Sequence, residues 1–126
     1  MDSREIESIV GRLVQNPQDH EALTTAHQAG QVDPKVYATI LERVGNGSSD
    51  PALASYWLTE AANVWTTALN DAPRAARALM AAIERDPTQQ AAADRLAELY
   101  RERGDAKALV ALLERRSKAL AHQPFA

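Results

Sequence analysis

The sequence predicts an all-α fold of about seven helices, arranged as a stack of antiparallel helix pairs. Three observations carry that expectation: apolar residues recur at helical spacing, prolines fall at nearly even intervals, and alanine is plentiful while the 126 residues hold only five glycines and six aromatics. Alanine loses no side-chain entropy in a helix and lets neighbouring helices approach closely. A polar residue precedes proline at Asn16-Pro17, Asp50-Pro51, Asp86-Pro87 and Gln123-Pro124, at intervals of 34, 36 and 37 residues. Proline starts a helix well but cannot continue one, so each dipeptide ends one helix and opens the next, with Asn or Asp as the cap.

Each unit between prolines carries one further break: Ala29-Gly30-Gln31, Asn70-Asp71-Ala72-Pro73 and Arg103-Gly104-Asp105. Two helices per unit follow. The expected helices are 3–15, 18–29, 34–44, 51–69, 72–85, 88–103 and 105–121, with no strand. In 88–103, Ala93, Leu96, Ala97 and Tyr100 fall at i, i+3, i+4 and i+7, while Asp94, Arg95, Glu98 and Arg101 occupy the other faces. Ala108, Leu109, Leu112, Leu113, Arg116 and Leu120 trace the partner stripe in 105–121. A single hairpin leaves apolar surface in water, so hairpins must stack. Gly45-Asn46-Gly47-Ser48-Ser49 is expected to be a flexible connector. Its Gly-x-Gly would suggest a phosphate cradle only after a strand, and none precedes it.

Composition narrows the function classes. Hydrophobic residues make up 45% and charged residues 25%, values ordinary for one folded domain of this length. Without cysteine there are no disulfides, thiolate nucleophiles or zinc–sulfur sites. No signal-like apolar run opens the chain, and nowhere do eighteen apolar residues occur in succession, so no membrane insertion is expected. The net charge of −3 gives no basic face for nucleic acid. It is unevenly distributed: residues 1–63 hold nine acids and four bases, and residues 64–126 hold eight acids and ten bases. Arginine exceeds lysine eleven to three, which with the alanine load suggests a GC-rich bacterial genome. A cytoplasmic setting fits the absence of cysteine.

No catalytic constellation emerges. His20 and His27 can share a helix face, but a metal site needs three or four ligands and only Asp19 or Glu21 stand near. Paired carboxylates such as Glu98 and Glu102 lie on an exposed helix face where water keeps both ionised. The expectation is a protein that is not an enzyme and carries no cofactor or metal.

These residues resemble the tetratricopeptide repeat (TPR). In the third unit Leu96, Ala97, Tyr100, Gly104-Asp105 and Leu109 occupy matching places. In the second, Leu58, Ala61, Ala62 and Trp65 match the first helix, and Ala75, Leu79, Ala82 and Asp86-Pro87 the second, with a turn one residue short before Asp71. The first unit is degenerate: Leu23 and His27 stand where leucine and an aromatic belong, and Thr24 replaces the small residue. The resemblance divides a single domain, 1–126, into a capping helix 3–15, a degenerate repeat 17–50, repeats 51–86 and 87–121, and a tail or further repeat at 122–126. It implies a right-handed α-α superhelix whose first helices line a concave groove.

Carried over from that family, the groove positions are Tyr56, Trp57, Thr59, Asn63, Thr66 and Thr67 in the second unit, and Ala91, Asp94, Glu98, Arg101 and Glu102 in the third. The expected partner is a segment of another protein; Asp94 and Glu98 would repel a terminal carboxylate and better suit a ligand with some positive charge, or a groove partly filled by the chain's own terminal helix. The chain then acts as a scaffold or adaptor; the alternative is a helical sensor domain that binds a small molecule or signalling peptide, which a closed, mostly apolar pocket around Trp57 and Trp65 would favour. Those two tryptophans, eight residues apart, point about 80° apart on a helix. Trp65 is expected in the core, and Trp57 either in the core or beside the groove. The last pair lacks a polar capping helix, so Leu112, Arg115, Arg116 and Leu120 form a candidate assembly surface. Either a further repeat or a second copy of the chain would cover it, through head-to-tail or two-fold contact.

Overall fold

The computed structural model describes residues 2–121, and for Ala119 and Leu120 the backbone alone. The described residues form seven helices and no strand: α1 (Ser3–Gln15), α2 (His20–Val32), α3 (Pro34–Gly47), α4 (Pro51–Thr67), α5 (Ala72–Arg85), α6 (Gln90–Glu102) and α7 (Ala106–Ala121). Gln123-Pro124, the fourth proline of the expected series, lies outside the described residues. No helix among those described is long and apolar enough to cross a membrane.

Aspartate starts nearly every helix. The side chains of Asp2, Asp19, Asp33, Asp50 and Asp71 each accept from a backbone N–H of the first turn of α1 to α5, and Asp105 does so from Ala108 N–H for α7. Each bond satisfies one of the donors a helix start leaves free. Only α6 lacks a side-chain cap, and its Gln89 instead donates through Nε2 to Asp86.

Proline opens α3 and α4 directly. Asn16-Pro17 and Asp86-Pro87 behave differently from the expectation, since the helices after them begin at residues 20 and 90 instead of 18 and 88. In both places the Asn or Asp side chain accepts from the N–H two residues on, at 3.1 Å, and its carbonyl accepts from the N–H of residue 19 or 89. This side-chain turn competes with helix and delays its start by two residues. The same turn therefore recurs seventy residues apart, closing α1 and α5 alike.

Two glycine readings are corrected. Gly30 does not break α2, which continues to Val32 and stops at Asp33-Pro34. Its lack of a side chain instead lets α3 approach: a Cβ on Gly30 would lie 2.8 Å from Tyr37 Cβ. Nor is 45–49 a flexible connector, because α3 runs through Gly47 and Gly45 is buried against α4. A Cβ there would meet Leu58 Cγ at 2.8 Å and Ala54 O at 3.2 Å. Gly104 does end a helix, with φ of +67° and the Asp105 N–H returning to Tyr100 O at 2.9 Å.

Every extensive helix–helix contact joins elements one or two apart in the chain. Buried side chains gather in two clusters: Ile9, Leu13, Ile40, Leu41, Val44 and Trp57 among others towards the amino end, and Leu58, Trp65, Leu79, Ile83, Leu96 and Leu112 among others towards the carboxyl end. Helix α4 supplies both, since Trp57 and Ala61 face one cluster while Leu58, Ala62 and Trp65 face the other. The small residues expected at close contacts are there: Ala22, Ala26, Ala38, Ala61, Ala62, Ala75, Ala82 and Ala92 are at most 1% exposed.

Candidate functional site

An open cleft of about 520 Å³ lies between α2 and α4. Leu23 and His27 line it from α2, Tyr37 and the buried Leu41 from α3, Leu53, Tyr56, Trp57 and Glu60 from α4, and Asn16-Pro17-Gln18 from the first turn. Positions 53, 56, 57 and 60 fall at i, i+3, i+4 and i+7, one face of α4, and Leu23 and His27 are one turn apart on α2. The Gly30 notch sets α3 close to α2, which brings Tyr37 beside His27: their ring centroids are 5.0 Å apart, and Tyr37 Oη approaches His27 Nε2 at 3.5 Å. On the α4 wall, Tyr56 meets Trp57 edge to face with centroids 5.4 Å apart.

Among the described residues, Glu60 is the only carboxylate lining the cleft, and no Lys or Arg lines it. Burial is the main cause that raises the Tyr37 hydroxyl above its ordinary pKa, and the charge of Glu60 adds to it. Trp57 is only 6% exposed, and its indole N–H finds no acceptor among the described residues.

The expected groove residues do not all meet here. Tyr56 is exposed and lines the cleft, and Trp57 lines it while lying in the core. Thr59 and Thr66 turn their hydroxyls onto their own helix, donating to Ser55 O and Ala62 O at 2.8 Å. Asn63 is half-buried, with Oδ1 shut from solvent and unpaired. Asp94 is exposed and accepts from Gln90 Nε2 at 2.8 Å, while Glu98 and Arg101 are exposed on α6. None of Thr59, Asn63, Thr66, Asp94, Glu98 or Arg101 lines the cleft. The residues missed at the sequence level are Leu23, His27, Tyr37 and Glu60. The first unit departs most from the repeat pattern; the spacing from Gly30 to Tyr37 gives no hint that the glycine is a contact.

Trp65 belongs to a second cleft of about 330 Å³, lined among others by Thr39, Glu42, Asn46, Arg74 and Arg77. Its Nε1 donates to Glu42 Oε1 at 2.7 Å, and the Arg74 guanidinium lies 4.8 Å above its ring. The two tryptophans thus open onto different clefts, as their angular separation on α4 requires.

Of the expected assembly surface, three side chains are described. Leu112 is 3% exposed and belongs to the core. Arg115 pairs with Glu84 at 3.3 Å and Arg116 donates to Gln90, so these side chains bind α7 to α5 and α6 within the chain. The side chain of Leu120 lies outside the described residues. Among the described side chains of α7, the large exposed hydrophobics are Val110 and Leu113.

Comparison of the chain with protein-family models, with curated proteins and with solved structures finds no match.

Proposed function

We propose that this chain is a TPR-like docking module, a right-handed superhelix of helix pairs that holds a segment of another protein in the cleft between α2 and α4. The observation that carries the reading is the cleft itself, open and lined by His27, Tyr37, Tyr56 and Trp57. Aromatic side chains that line a preformed hollow, Tyr56 and His27 among them exposed, are favourable anchors, because they bring large contact area at small entropic cost. A segment is favoured over a small enclosed ligand because the tryptophans line separate clefts, leaving no closed pocket between them. The role is that of a binder, not an enzyme, and the cysteine-free, arginine-rich composition supports a cytoplasmic, bacterial setting.

Selection of a random-sequence peptide display library on the full chain tests this. Convergent peptides are expected, and Tyr56→Ala should weaken them by about tenfold or more, the range of an interface anchor. Convergent peptides indifferent to Tyr56→Ala would refute the cleft as the docking site.

A further inference from the structure

We infer that the cleft between α2 and α4 is built for an arginine side chain, whose guanidinium stacks on the Tyr37 and Tyr56 rings and pairs with Glu60. The inference rests on the docking reading and names the chemistry of the docked segment. Four aromatic rings line the cleft, and a ring face carries partial negative charge that attracts a cation. The lining adds one carboxylate and no Lys or Arg, and Glu60 forms no salt bridge among the described residues. Its charge therefore faces a hollow in which no described side chain balances it. The neighbouring cleft makes the contrast: there the charged group over the tryptophan is the chain's own Arg74, and Trp65 and Glu42 are already joined. In the cleft between α2 and α4 no described Lys or Arg takes the corresponding place, which leaves it open to a cation from a partner.

The surrounding field agrees, since residues 1–63 carry more than twice as many acids as bases and draw cations to this end of the molecule. Guanidinium suits the site better than ammonium. It is planar, sheds water at lower cost, stacks on aromatic faces, and presents paired donors to a carboxylate.

The test uses N-acetyl-arginine amide, its neutral isostere N-acetyl-citrulline amide and N-acetyl-lysine amide, each titrated into the full chain. The indole N–H resonances of Trp57 and Trp65 are followed, with Trp65 as internal control. The arginine amide should shift Trp57 saturably and leave Trp65 in place, with the citrulline amide about tenfold weaker. Glu60→Gln should reduce arginine binding to the citrulline level while the thermal unfolding midpoint holds. Equal binding of arginine and citrulline amides, no shift at Trp57, or no effect of Glu60→Gln would each overturn the inference. A lysine amide that binds as tightly as arginine would overturn the guanidinium assignment. Arginine-free peptides that depend on Tyr56 would sink this inference alone and leave the docking reading standing.

Discussion

Tyr56 and Trp57 are chain neighbours with opposite physical roles. Trp57 is buried among Leu13, Ile40 and Val44, so Trp57→Ala removes a large core side chain and should cost about 3–5 kcal/mol by denaturant unfolding. Tyr56→Ala, at a site 54% exposed, should stay within about 0.5 kcal/mol of the parent, so that its effect on binding can be read free of folding. At Gly45, Ala would gain helix propensity of up to about 1 kcal/mol but press a methyl against Leu58 and the fixed Ala54 carbonyl. Overpacking costs about 1–3 kcal/mol, so the net change should be destabilising; a raised unfolding midpoint would show that α3 and α4 separate easily.

Helix ends carry the next level of stability. Arg85, in the last turn of α5, donates to Gly45 O and Ser48 O, placing a cation at the carboxyl end of α3 where the helix dipole favours it. Arg85→Ala removes the guanidinium from both carbonyls, leaving Gly45 O with the Ser48 N–H at 3.3 Å, and should cost about 1–2 kcal/mol, with amide exchange rising first in the last turn of α3. The Asp19 cap of α2 and the Asp86 turn before α6 depend on ionised carboxylates. The Ala22 N–H is the leading cause that holds Asp19 below its usual range, with partial burial opposing and Arg12 assisting. For Asp86 the largest influence is burial, which pushes upward, and the bonds from Thr88 and Gln89 outweigh it. A carboxyl depressed on folding contributes fully above its unfolded pKa of about 4, and that contribution is lost as pH falls through the folded value. The unfolding midpoint should therefore hold near neutrality and fall below about pH 4, and Asp19→Asn with Asp86→Asn should flatten this acid limb.

Across the molecule, burial is greatest where both faces of a helix are covered. Helix α4 meets one cluster with Trp57 and the other with Trp65, whereas α7 contributes Leu112 to the core and leaves Val110 and Leu113 in water. Contacts confined to near neighbours in the chain allow each end to open without the rest. Native-state hydrogen exchange should find the strongest protection in α3, α4 and α5 and the weakest in α7. Uniform protection along the chain would mean that all seven helices open together. The charge imbalance also acts at this scale, because it concentrates acid around the half that holds the aromatic cleft.

Element type and order were legible in the chain because they depend on short-range chemistry: stripes at helical spacing, aspartate caps, and prolines that stop one helix before another. The boundaries at residues 20 and 90 were displaced because Asn16 and Asp86 fold back on their own backbone, a competition that one proline spacing does not reveal. Gly30 and Gly45 read as breaks for the same reason, since a glycine that ends a helix and one that admits a neighbour look alike until the neighbour is in place. The cleft was half legible: Tyr56 and Trp57 stand among the positions that the repeat resemblance implied, but His27, Tyr37 and Glu60 join them only through packing. By itself, then, the sequence determined seven helices and which faces had to be buried, because local backbone preference and apolar periodicity decide those. Only tertiary structure decided which aromatic rings share a cleft and which arginines are already paired, because those depend on how α2, α3 and α4 surround one hollow and on which side chains α5 and α7 bring together, and no local rule specifies either.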